Sequence, residues 1–159
     1  MGLKFKLKTT NEQLGKMKAD FVQRYNLILR NELVKLGLDI VTMAREKQGH
    51  SVGGFDDQTG NLRASIGYVL LYDGLQVESD FDPTMVNDPI EEGTGDVIGY
   101  NYATKIAKSY PKGWCLVIVA GMEYATYVED KGYDVISGST MNASKMIKQV
   151  ANNIDKAFN

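Results

Sequence analysis

The run Trp114–Ala120 constrains this chain more than any other stretch, because it is apolar on both of its alternating faces. Trp114, Leu116, Ile118 and Ala120 share one side of an extended chain, and Cys115, Val117 and Val119 share the other. A strand with one face in water alternates apolar with polar residues. This one is therefore expected to be covered on both faces and to lie centrally in its sheet. Gly121 interrupts the run. Tyr124, Tyr127 and Val128 then follow at one-turn spacing, which predicts a short helix. Gly132 stands where a left-handed C-cap belongs, with Val128 and Tyr133 as the apolar pair that seals such an end.

Covering a strand on both sides takes a sizeable core. A chain of 159 residues with 43% hydrophobic content reads as one domain, 1–159. It can bury roughly two thirds of its unfolded surface without a covalent staple. The single cysteine excludes an internal disulfide and suits a reducing setting. Residues 1–8 are basic, but no long apolar segment follows them, so no secretory leader is expected. No stretch reaches the ~20 apolar residues of a membrane span. The net charge of −2 leaves no bulk footprint for nucleic acid. The expectation is a soluble protein made inside the cell.

Leu3, Phe5 and Leu7 alternate with Lys4, Lys6 and Lys8, a strand period at a terminus. Residues 1–8 read either as an edge strand or frayed arm, or as an arm that adds to a neighbouring molecule's sheet edge. Thr10 and Gln13 have capping-box spacing. Behind them Leu14, Met17, Phe21, Tyr25, Ile28, Leu29, Leu33, Leu36, Ile40 and Met43 recur at threes and fours. Carried to Gln48, this helix would approach ~55 Å. That is more than a small domain covers, so either Gly15 or Gly37 interrupts it or one end projects, with Gly49 as the stop.

Residues 48–61 form a glycine-rich polar loop. Asp73-Gly74 is a two-residue hairpin signal between residues 66–72 and 75–80. A regular turn there sets Leu70 opposite Val77 and Tyr68 opposite Ser79, with Gln76, Glu78 and Asp80 on the other face. Residues 81–96 read as a long acidic surface loop. Ile98, Tyr102, Ile106 and Tyr110 step along a helix ended by Pro111 and Gly113. Residues 133–136 read as one more short strand. The last helix carries the stripe Ala143, Met146, Ile147, Val150, Ala151, Ile154, Ala157 and Phe158, with Ser139 or Thr140 as its cap.

Candidate chemistry is sparse. His50, the only histidine, neighbours Ser51 in a glycine-rich loop that supplies neither a rigid frame nor a third orienting group. One histidine and one cysteine do not make a zinc set. Residues 93–99 have glycines in a spacing foreign to dinucleotide fingerprints, and Glu91, Glu92 and Asp96 would repel phosphate. Asp80 and Asp82 offer oxygen ligands without the order of an EF-hand. Asp56-Asp57 and Glu129-Asp130 are sequence neighbours whose side chains diverge. The nine tyrosines suit a core margin or a subunit contact equally.

Two segments, in order, resemble a known family. Thr59-Gly60-Asn61-Leu62-Arg63-Ala64-Ser65-Ile66 is similar to the T-G-x-L-x-x-S-I element of the tail-completion, or neck (head–tail joining), proteins of long-tailed bacteriophages. Residues 119–129, with Tyr124, Ala125, Val128 and Glu129, resemble the same family's V-x-x-x-x-x-Y-A-x-x-V-E element. A long amphipathic helix before the first element and a terminal helix after the second also match. Where the family continues with a Pro-Phe segment, residues 130–139 here contain no proline. Residues 81–113 look like an insertion between strands.

The expected fold is α+β: a mostly antiparallel sheet of about four strands, with the long N-terminal helix and the C-terminal helix packed on one face. The helix at residues 98–110, or a neighbouring subunit, is expected to cover the other face. The resemblance implies a non-enzymatic virion protein of the head–tail interface. It would form a ring of its own copies between the head-connector and tail-terminator proteins. It would need no cofactor, metal, small-molecule substrate, membrane or specific nucleic acid. The free chain would be monomeric and close its ring only on the growing tail. Two rival readings are a divalent-metal-dependent hydrolase or nuclease built on the acidic residues 80–96, and a generic adaptor domain.

Overall fold

The capping box at Thr10 starts the longest element of the computed structural model, which describes residues 9–46, 57–90, 93–123, 125–131 and 133–158. Gln13 N–H donates to Thr10 Oγ1 at 3.2 Å, and Thr10 N–H donates to Gln13 Oε1 at 3.0 Å. Helix α1 then runs unbroken through Asn11–Arg45, about 52 Å long at ~1.5 Å per residue. Neither Gly15 nor Gly37 interrupts it. Its buried residues are Leu36, Gly37, Ile40, Val41 and Ala44, all in the last third, so the N-terminal end projects. Gly37 has a packing role: a Cβ there would lie 3.0 Å from the Tyr68 ring. The expected stop at Gly49 and the arm 1–8 lie outside the described residues.

The next elements are the short helix α2 (Asn61–Ala64), strands β1 (Ile66–Tyr72) and β2 (Leu75–Asp80), and a 3-10 turn at Pro83–Met85. They are followed by helix α3 (Gly95–Ala107), strand β3 (Trp114–Ala120), and helices α4 (Ala125–Asp130), α5 (Ser137–Met141) and α6 (Ala143–Phe158). The sheet is antiparallel, with three strands in the order β2-β1-β3 among the described residues. Residues 133–136 are irregular, so the expected strand there does not form. Their backbone serves as a connector instead, with Val135 fully buried in the core. Ser139 and Thr140 lie inside α5 and do not cap α6, which begins after Asn142.

Apolar faces set the layers. Tyr68 and Leu70 pack with Val41 and Ala44 of α1, and Leu116 and Ile118 join them. Val150 of α6 packs with Leu36 and Ile40, extending the same layer. On the opposite face Val69, Leu71, Val117 and Val119 pack with Ala103 and Ala107 of α3. The two long helices therefore share one face and α3 supplies the cover for the other, as the apolar patterns predict. Within residues 81–113, α3 contributes Ala103 and Ala107 to the core.

The doubly apolar strand is covered on both faces as expected, but it is not central. Among the described residues β3 is an edge, and β1 is the strand between two neighbours. Apolarity on both sides reports helices above and below, and says nothing about the hydrogen-bonding neighbours to left and right.

The hairpin also departs from the regular register. Asp73 and Gly74 take φ of 49° and 76°, as a two-residue primed turn requires. Beyond Leu71↔Gln76, however, the ladder shifts to Leu70↔Glu78, Val69↔Ser79 and Tyr68↔Asp80, leaving Val77 as the extra residue of a bulge. The shift turns Glu78 and Asp80 to the α1 face. There Arg30 Nη2 meets Glu78 Oε2 at 3.1 Å, and Arg45 Nη1 meets Asp80 Oδ2 at 2.8 Å. In that register both acids meet arginines of α1.

Candidate functional site

The first family-like segment is a loop–helix–strand joint at one end of the sheet. Asp57 is buried and accepts from Arg63 N–H at 2.7 Å and Leu62 N–H at 3.4 Å, satisfying donors at the start of α2. Gly60 takes φ 77°, and a Cβ on it would stand 1.8 Å from Met85 O. Left-handed backbone and close approach both require glycine there. Thr59 O accepts from Asn87 N–H at 2.8 Å and from Asp88 N–H at 3.2 Å, and Thr59 Oγ1 accepts from Asn61 N–H at 3.3 Å. Leu62 and Ile66 are core residues. Arg63 is half-buried on α2.

Ser65 is fully buried and links this segment to the second one. Its hydroxyl donates to Leu62 O at 2.8 Å and accepts from Met122 N–H at 3.3 Å, and its carbonyl accepts from Gly121 N–H at 3.1 Å. The strands align Ile66 with Ala120 and Gly67 with Val119. A Cβ on Gly121 would lie 2.4 Å from Gly99 Cα. Gly99 and Gly121 thus let α3 approach this backbone closely.

In the second segment Ala125 is buried and Val128 packs against the main core, while Tyr124 lies outside the described residues. Glu129 reaches across to the start of α5. Its Oε1 accepts from Ile136 N–H at 2.9 Å and Ser137 N–H at 3.0 Å, and its Oε2 accepts from the Ser137 hydroxyl at 3.1 Å. Burial by itself would raise the carboxyl pKa. The bonds from Ile136 and Ser137 outweigh burial and hold it below the ordinary glutamate value. Tyr133 N–H donates to Val128 O at 3.3 Å, the long bond expected if Gly132 caps α4; Gly132 itself is outside the described residues. Two participants were missed in the sequence. Asn61 fills an unspecified position of the element, yet its Nδ2 donates to Asp88 O at 2.7 Å and its Oδ1 accepts from Gly95 N–H at 2.9 Å. Asp57 was read only as half of a carboxylate pair; an acid a few residues ahead of a short helix was its signal.

The other candidates are dispersed. Asp80 is paired with Arg45, and Asp82 accepts from Thr84 N–H at 2.9 Å and from its hydroxyl. Those Thr84 bonds hold the Asp82 carboxyl below its ordinary value. No three histidine, cysteine, aspartate or glutamate side chains converge among the described residues. Burial pushes the Cys115 thiol up, away from a reactive thiolate. His50, Ser51, Asp56, Glu91 and Glu92 are outside the described residues.

The surface is more informative than the clefts. The projecting part of α1 exposes Leu14 at 59%, Met17 at 66% and Phe21 at 54%. Phe158 at the end of α6 packs against Phe21, ring centroids 4.9 Å apart and the rings tilted, and Arg24 donates to Ala157 O at 2.9 Å. Leu14 and Met17 lie beyond that contact. An open groove of about 570 Å³ runs beside the end of β3, lined by Ile98, Tyr102, Lys105, Ala120, Met122 and Glu123 among others. No helix of the described residues is long and apolar enough to cross a membrane. No protein-family model, curated protein or solved structure gives a significant match to this chain.

Proposed function

We propose that this chain is a structural protein of a phage or prophage head–tail interface, acting in tail completion through a ring of its own copies. The observation that carries the reading is the division of labour in the two family-like segments. The described residues of them that make specific bonds, Asn61, Ser65 and Glu129 among them, tie loop, helix and strand together. A frame of this kind, with an apolar helix end projecting from it, suits contact with neighbouring proteins. Copies of the chain, a head connector and a tail terminator are the partners of this reading. Of the acids the metal-hydrolase rival would use, Asp80 Oδ2 is engaged by Arg45 and Asp82 Oδ1 by Thr84.

Disruption of the gene in its parent phage or prophage tests this. The expected result is full heads and finished tails that stay separate, with joining restored by the chain supplied in trans. Normal yields of joined particles, or a gene that stands apart from portal, capsid and tail genes, would refute the role.

A further inference from the structure

The two edges of the sheet are guarded unequally. β2 carries the bulge at Val77 and the acids Glu78 and Asp80, devices that keep an edge from pairing. β3 has seven residues, WCLVIVA, in unbroken register with β1, with no charge, proline or bulge. Gly121 N–H donates to Ser65 O, and Asp73 N–H donates to Gly113 O. Pairs 121/65 and 113/73 are therefore hydrogen-bonded, and by alternation the backbone N–H and C=O groups of Trp114, Leu116, Ile118 and Ala120 point outward. No backbone bond outside the strand ladders uses those groups among the described residues. A long, regular, uncharged edge of this kind calls for a partner strand.

The geometry points to residues 1–8 of a second copy as that strand, lying along the open edge of β3. Leu3, Phe5 and Leu7 alternating with Lys4, Lys6 and Lys8 have the period of an added strand. The same arm cannot serve its own β3. Trp114 Nε1 donates to Asn26 Oδ1 at 3.2 Å, which sets the start of β3 beside residue 26 of α1. Arg45 Nε donates to Ile66 O, and Ile66 pairs with Ala120, so β3 runs from there toward the far end of α1. Thr10 lies about 24 Å back along the helix from Asn26. Nine extended residues reach at most about 31 Å. Roughly two of residues 1–8 would remain to pair with a strand of seven, so pairing by this segment is favoured in trans. On the added strand, one set of alternate side chains falls over the groove lined by Ile98, Tyr102, Ala120 and Met122, where Glu123 offers a charge for lysine. The inference deepens the ring proposed above and rests on it in one respect, that the partner is another copy.

Residue-resolved amide hydrogen exchange on the full chain tests it, with the Phe5→Asp/Leu7→Asp double variant as comparison. Protection of the Leu116 and Ile118 amides should rise roughly tenfold as the chain is concentrated toward about 1 mM. It should vanish in the variant and return when a synthetic peptide of residues 1–10 is added. Protection independent of concentration, retained in the variant, located on β2, or absent throughout overturns the inference. The two readings fail separately: particles that join normally without the gene remove the virion role, whereas unprotected amides remove strand addition alone.

Discussion

Ser65→Ala is the sharpest single test of the joint between the two segments. Ser65 is fully buried, so water cannot replace what the substitution removes. Leu62 O loses the hydroxyl donor but keeps Ser65 N–H at 3.2 Å, so that loss costs about 0.5–1 kcal/mol. Met122 N–H loses its acceptor while Met122 stays 6% exposed, and a buried donor left unpaired costs about 1–3 kcal/mol. The total is about 1.5–4 kcal/mol. With a urea slope of about 2–3 kcal/mol/M for a domain of this size, the midpoint should fall by about 0.5–2 M. Trp114, the only tryptophan, stands 4.7 Å from the Tyr72 ring and reports unfolding by fluorescence. Ser79→Ala, which loses one exposed bond to Gln76, serves as control and should shift stability by less than about 0.5 kcal/mol. If Ser65→Ala moved the midpoint no further than this control, the hydroxyl would not be what joins the segments.

Three further outcomes follow from the same contacts. Gly60→Ala combines a positive φ, worth about 1–3 kcal/mol, with a clash against Met85 O, so its melting temperature should drop by more than that strain implies; an unchanged melting curve would contradict the turn geometry. Arg45→Met leaves Ile66 O without its two guanidinium donors and Asp80 without its cation, and should cost about 2–4 kcal/mol in urea unfolding, with wild-type stability as the refuting result. Glu129 has a folded-state pKa below its unfolded value, so its stabilisation is complete above the unfolded value of about 4.3 and is lost as pH falls through the lower folded one. Native chain and Glu129→Gln should therefore differ in melting temperature near neutral pH and converge in acid. A gap that widens in acid would reverse the assignment.

How much of this was legible depended on how local the cause was. The capping box of α1 and the primed turn at Asp73-Gly74 are set within a few residues, and both formed where the residue types placed them. Ser65, Gly60 and Glu129 could be singled out by resemblance, but their work could not be read, because each acts on a backbone far along the chain or across a turn. Asn61 escaped notice for the same reason, since its partners are Asp88 and Gly95. The register of β2 was misjudged: Glu78 and Asp80 meet Arg30 and Arg45, dozens of residues earlier, in a ladder that carries a bulge.

The amino-acid order by itself determined which faces of the strands turn inward, where α1 begins and how the hairpin turns, since side-chain periodicity and cap chemistry act at short range. Only the folded chain decided that, among the described residues, β3 is an edge and β1 the middle, that α3 and not a neighbour covers the second face, and that Leu14 and Met17 of α1 stand clear. Those outcomes depend on which surfaces meet, and burial on the two faces of a strand carries no information about who pairs with its sides.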